Sequence, residues 1–208
     1  MEKLKAVDRK KVKLILLSFL AGAIWLLGVR FVLVQDTSVH YHANFAVFVD
    51  GERLALDRPT LYEEVQLCGG DYTDNPKARV HMHDMVSHIV HVHDDAATWG
   101  HFFANIGMTN GDTVFRIDNQ TYLEADGLQI DFMLNGAPVE TTANMTIGNE
   151  DVLLVSIGSG QSDQQLQAQY DQIMGDAAQY NELPDPATCS GSAGLSFTDR
   201  LKAAVGSN

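Results

Sequence analysis

An unbroken apolar run, LILLSFLAGAIWLLGVRFVLV, occupies residues 14–34, 21 positions with a single charge at Arg30. As a helix rising ~1.5 Å per residue, it is long enough to span a hydrocarbon core of roughly 30 Å. Arg30 falls one turn from the far end, where a guanidinium can reach the headgroups. Beyond residue 35 the periodicity changes. Residues 43–49 form an apolar stretch, Asp50-Gly51 follows, and residues 52–56 alternate polar and apolar. Asp-Gly between two strand-like runs predicts a two-residue hairpin, because a type I′ turn needs positive φ at both centres. The same device recurs at residues 128–134, Asn135-Gly136 and residues 137–142.

Between the hairpins, residues 68–77 (CGGDYTDNPK) read as a loop, and residues 79–84 and 88–94 as Val-, Ile- and His-rich strands. In residues 96–106, Trp99, Phe102, Phe103 and Ile106 recur at helical spacing. They predict one core-facing helix with Asp94 or Asp95 as N-cap and Gly107 as its stop. Residues 113–118, 121–125 and 152–157 are expected to complete a mainly antiparallel sheet. Leu166, Tyr170, Ile173, Met174 and Ala177 then form a narrow stripe on a Gln-rich helix over residues 161–183, closed by Pro184 and Pro186. The expected architecture is α+β. It has a basic segment (1–13), a transmembrane helix (14–34) and a domain (36–160) of mainly antiparallel sheet with one short packed helix. A C-terminal amphipathic helix (161–183) and a tail (184–208) with a short helix at 197–205 follow.

Charge orients this arrangement. The net charge is −13, yet residues 1–35 hold seven basic and two acidic side chains, and the remainder holds seven and 25. A basic flank before the apolar run places the N-terminus in the cytoplasm and the acidic domain outside it. The competing reading is a signal peptide cleaved near Ala21-Gly22-Ala23, but the apolar run continues past that point, which favours a membrane anchor. Either way the domain is exported. Its negative field repels nucleic acid and attracts cations. Membrane lipid around residues 14–34 and a membrane or exported protein are the expected partners. Cys68 and Cys189 suit a disulfide in an oxidising compartment, tying the tail back to the loop; two separate thiols are the alternative.

All eight histidines lie between His40 and His101. Six form three H-x-H pairs: His40/His42, His81/His83 and His91/His93, the last two pairs followed at once by Asp84 and Asp94. On a strand, H-x-H turns both imidazoles to one side. Neutral imidazole is the commonest transition-metal ligand, so two neighbouring pairs can supply a whole site. These six are the candidate metal ligands, with Asp84 and Asp94 as outer carboxylates that fix the ring tautomers, or as ligands themselves. Convergence depends on one connection. A three-residue loop at residues 85–87 sets His81 opposite His91, whereas a two-residue loop at Met85-Val86 turns His91 and His93 to the other face. His88 has the opposite parity, and His101 falls on the polar side of its helix.

The ordered motifs, H-x-H-A-x-F ending in D-G over residues 40–51, H-x-H-D at 81–84 and H-V-H-D at 91–94 leading into W-G-H-F-F, resemble those of an uncharacterised group of membrane-anchored bacterial and archaeal extracytoplasmic proteins. The resemblance covers about residues 36–180 and implies an exported histidine framework, with no activity to transfer.

Imidazole and carboxylate donors suit zinc or copper, and the sequence leaves the two undecided. Met82 alternates away from His81 and His83, which weakens a thioether-bound Cu(I) site. The leading expectation is a metal carrier, sensor or buffer. A hydrolytic-type metalloenzyme and a metal-free, pH-responsive interaction domain are the alternatives. No G-x-S-x-G, H-E-x-x-H or phosphate-binding loop occurs, no residue is assigned as catalytic, and the reading leans away from an enzyme.

Overall fold

The apolar run becomes helix α1, Arg9–Leu33, with no buried side chain. Its 25 residues are long and apolar enough to cross a membrane. The structure is a computed structural model that describes residues 9–34, 39–62, 76–125, 127–183 and 197–206. The loop with Cys68 and the tail with Cys189 lie outside these residues, so the expected disulfide does too. Two units emerge, one of residues 1–37 with 193–208 and one of residues 38–192.

In the first unit, the expected short helix forms as α5, Phe197–Val205, against the end of α1. Phe197 packs on Phe31 with ring centroids 5.2 Å apart. Arg200 lies over the Phe31 ring and donates to the Val34 carbonyl, satisfying one of the acceptors a helix end leaves open. Arg30 donates to the Ala203 carbonyl at 3.4 Å.

The second unit is built on β1, Tyr41–Val49, which has a strand on each edge and is buried on both faces, Ala43, Phe45 and Val47 in one core layer and Ala46 and Phe48 in another. β2, Glu52–Arg53, returns from it through Asp50 (φ 50°) and Gly51 (φ 85°), the predicted positive-φ turn. The other members are β3 (Val80–His81), β4 (Ile89–Val92), β8 (Leu128–Leu134), β9 (Ala137–Val139) and β10 (Val152–Ser159). The order is β3-β4-β1-β10-β8-β9, with β2 also on β1. All its pairings are antiparallel except β1 with β10. Asn135 (φ 53°) and Gly136 (φ 78°) make the second predicted turn, between β8 and β9.

β6 (Val114–Ile117) and β7 (Gln120–Leu123) do not join this sheet as expected; with β5 (Met108–Asn110), which the sequence reading did not anticipate, they form a separate three-stranded meander. Consecutive strands pair locally at little loop cost, while Pro138 removes an amide donor from edge strand β9. The meander presents Met108, Phe115 and Ile117 to the main core. There they meet Ala43, Phe45 and Val47 of β1 and Trp99, Phe102 and Phe103 of α2, Trp99–Asn105. Each such fully buried aromatic or aliphatic side chain stabilises the fold by about 1.5–3 kcal/mol relative to exposure.

α2 starts later than expected. Thr98, rather than Asp94 or Asp95, is its N-cap: the Thr98 hydroxyl accepts from the His101 amide and His101 Nδ1 accepts from the Thr98 amide. The backbone of Trp99 and Gly100 is meanwhile held by the carbonyls of Met145 and Ala143, and a Cβ at Gly100 would overlap the latter.

The opposite face of the large sheet carries Ala46, Phe48, Met133 and Leu154, covered by Leu166, Tyr170 and Ile173. The C-terminal stripe is two helices rather than one, α3 (Asp163–Tyr170) and α4 (Ala177–Asn181). Asn44 of β1 accounts for the break: its Oδ1 accepts from the Ala177 amide, and its Nδ2 donates to Asp176. The chain turns so that α4 can dock there.

Candidate metal centre

Strand register brings the histidines together. β4 lies between β3 and β1, and His91 is paired directly with His81 on one side and His42 on the other. Odd-numbered Ala43, Phe45 and Val47 of β1 point into the main core, so His42 and its partners occupy the other face, continuous with Asn44 and Ala46. His40, His83 and His93 each follow or precede a paired histidine by two positions and keep its parity. This is the register of the three-residue connection. Strands β3 and β4 are shorter than residues 79–84 and 88–94, and the link between them is tightened by a turn at Asp84 (φ 56°) and Met85 (φ 57°). The Val86 amide closes it on the His83 carbonyl. Asp tolerates the left-handed region and Met does not favour it, so the turn left no glycine or asparagine to be read.

His91 sits at the middle of the cluster. Its ring centroid is 3.6 Å from that of His83, 4.2 Å from His42, 5.9 Å from His81 and 6.2 Å from His40. His93 stacks between His40 at 5.1 Å and His81 at 5.3 Å. His42, His81, His83 and His91 are buried, and His40 and His93 are half-buried. One nitrogen each from His40, His91 and His93 lies within 4.8 Å of the others, the one such set of three or more potential donors among the described residues. Bonds of ~2.0–2.1 Å to a tetrahedral ion require a closer approach than this.

The hydrogen bonds define which nitrogen of several rings carries the lone pair. The backbone amide of His42 donates to Asn181 Oδ1 at 2.9 Å, so that atom is an acceptor and His42 Nδ1–H must donate to it, at 2.8 Å. His42 Nε2 therefore accepts, and His91 Nδ1–H donates to it at 2.9 Å. His91 is left with its lone pair on Nε2. The same logic fixes His83, whose Nδ1–H donates to Asp84 Oδ2 at 2.8 Å, and His81, whose Nδ1–H donates to the Lys77 carbonyl at 2.7 Å. An imidazole N–H given to a carboxylate, carbonyl or other outer group, with the second nitrogen left as donor to a metal, is the common arrangement of metal-binding histidine. The Nε2 atoms of His83 and His93 are buried without a hydrogen-bond partner.

Burial and the neighbouring imidazoles push the pKa of His91 far down and that of His93 down to about 3. Both are neutral at pH 7, so no proton competes there for a metal.

Of the two candidate outer carboxylates, Asp84 accepts from His83 Nδ1–H, while Asp94 is engaged elsewhere, with Arg79 Nε at 2.6 Å and the Ala96 amide at 2.8 Å. His88 donates to Asp176 at 3.0 Å, and His101 belongs to the α2 cap. Met82 is fully buried among the core residues, away from the histidine face. The sequence reading missed Asn181, which sets the tautomers of His42 and His91, and Asn44 and Asp176, which hold its helix in place. Asn181 lies 139 positions from His42, and no motif marks a lone asparagine at that distance. Comparisons with family models, with curated proteins and with solved structures find no match, so the residues themselves carry the assignment.

Proposed function

We propose that this chain is a membrane-anchored, extracytoplasmic protein that binds a transition-metal ion, zinc or copper, as a carrier, sensor or buffer. The observation that carries the reading is the approach of His40, His91 and His93 to within 4.8 Å on one sheet face. The hydrogen bond that His91 Nδ1–H gives to His42 supports it, because it leaves the His91 lone pair on Nε2. Anchoring is supported by the length and apolarity of α1, and export by the seven basic residues within the first 35. An all-imidazole donor set suits either ion.

The test is elemental analysis of the full chain purified in detergent, after exposure to zinc or to copper and gel filtration. Stoichiometric metal is expected, and it should be lost in His91→Ala and His93→Ala. Wild type without metal, or variants that retain it in full, would overturn the reading.

A further inference from the structure

We infer that the histidine cluster holds two metal ions, the second bound by His81 and His83. The inference rests on the proposal that the domain binds a transition metal. His40, His91 and His93 supply the first ion with one nitrogen each, and His42 Nε2 already accepts from His91. That division leaves the β3 pair unassigned, although it is prepared for ligation as fully as the others.

Both members of the pair have Nδ1–H committed to an oxygen that can only accept, the Lys77 carbonyl for His81 and the Asp84 carboxylate for His83. In the neutral form that binds a metal, both then carry the lone pair on Nε2. His83 is 2% exposed, yet its Nε2 has no hydrogen-bond partner. A buried acceptor left unmatched is costly, and a native fold that keeps one needs a reason for it. A metal ion is such a reason.

The mutually close set consists of His40, His91 and His93 and does not include His83, whose neighbour two positions back in the chain is His81. The centroids of His81 and His83 are 5.5 Å apart with the rings tilted by 36°, a gap flanked by two imidazoles on one face. The pair is borderline in softness, so Zn(II) and copper both fit it. Asp84, its side chain 60% exposed, offsets part of the ion's charge through His83.

Two donors give a weaker site than three, with coordination positions left for water or an incoming ligand. The sites are also contiguous, since His83 touches His91 at 3.6 Å and His81 stacks on His93 at 5.3 Å. Charge on the first ion therefore opposes the second. The two should load in sequence, one tightly and one at least tenfold more weakly.

The experiment titrates the full chain in detergent with Zn(II), and separately with Cu(I) under reducing conditions, following bound metal against a chelating indicator. Two equivalents in two phases are expected for wild type. His81→Gln/His83→Gln should keep the tight equivalent and lose the weak one, with near-UV circular dichroism from buried Trp99 showing that the fold persists. If the double variant does not fold, His83→Gln alone should give the same result. One equivalent in wild type overturns the second site and leaves the proposed function standing. Two equivalents in a folded variant, or none, also overturn it. No metal in wild type overturns the proposed function itself.

Discussion

His42 Nε2 accepts the Nδ1–H of His91 at 2.9 Å, and His42 can do so because its own Nδ1–H is given to Asn181 at 2.8 Å. The two imidazoles face each other from paired positions on β1 and β4. A residue at the end of α4 thus sets the protonation pattern of the central histidine, two residues removed along a chain of hydrogen bonds.

This relay predicts that Asn181→Ala weakens metal binding without touching a ligand. Losing an outer partner of a ligating histidine commonly costs 10–100-fold in affinity, and a loss on that order is expected here. Asn181→Asp keeps an acceptor for both the His42 amide and ring N–H and should recover most of it. Competition titration against a chelator measures both variants. Wild-type affinity in Asn181→Ala would show that the relay does not govern the site.

Histidines outside the cluster should behave differently. His101 and Thr98 exchange two hydrogen bonds at the start of α2, remote in role from the metal face. Thr98→Ala should destabilise the domain by about 1 kcal/mol, the usual worth of an N-cap, and leave metal stoichiometry unchanged. Urea denaturation of the metal-free protein reads the first quantity and elemental analysis the second. Metal loss in a folded Thr98→Ala protein would contradict this separation.

Acid should unfold the metal-free domain through the same cluster. His93 is pushed down to about 3, against an ordinary value of 6.5, by burial and by His40, His83 and His42. Between those two values the unfolded chain binds a proton that the folded chain refuses. Stability is therefore full above pH 6.5 and falls as the pH drops toward 3, by at most ~1.4 kcal/mol per pH unit for one such group. His91 is displaced in the same direction and adds to the slope. Chemical denaturation at pH 7.5, 6 and 5 checks this: the slope should shrink in His93→Gln, and a pH-independent wild type would show that the imidazoles titrate normally when folded.

The features legible from sequence are those carried by neighbours in the chain. Asp50-Gly51 and Asn135-Gly136 specify their turns locally, and H-x-H specifies a shared face through the strand period alone. Where competing local signals existed, tertiary contacts chose between them. Asp94 looks as good an N-cap as Thr98, but Arg79 and the Ala96 amide take its carboxylate, and Met145 and Ala143 hold the backbone at Trp99 and Gly100. The Gln-rich stripe reads as one helix until Asn44 takes the Ala177 amide. Nor does any local pattern say that β1 will pair in parallel with β10, more than a hundred residues later, or that β5, β6 and β7 will form a sheet of their own.

Asn44 offers the sharpest test of how α4 and the histidines are joined. It is buried on β1 two residues from His42, donates to Asp176 at 2.8 Å and accepts from the Ala177 amide at 2.9 Å, fixing the first turn of the helix whose last residue is Asn181. Truncating it in Asn44→Ala leaves a carboxylate and an amide without that partner, so α4 should shift and Asn181 should lose its alignment with His42. The effect on metal affinity should then resemble that of Asn181→Ala. Because both substitutions act through one contact, the double variant should bind only slightly more weakly than either single variant, instead of showing the product of the two losses. A double-mutant cycle on metal affinity measures this directly. Fully additive losses would mean that Asn44 supports the site by some route other than the position of Asn181.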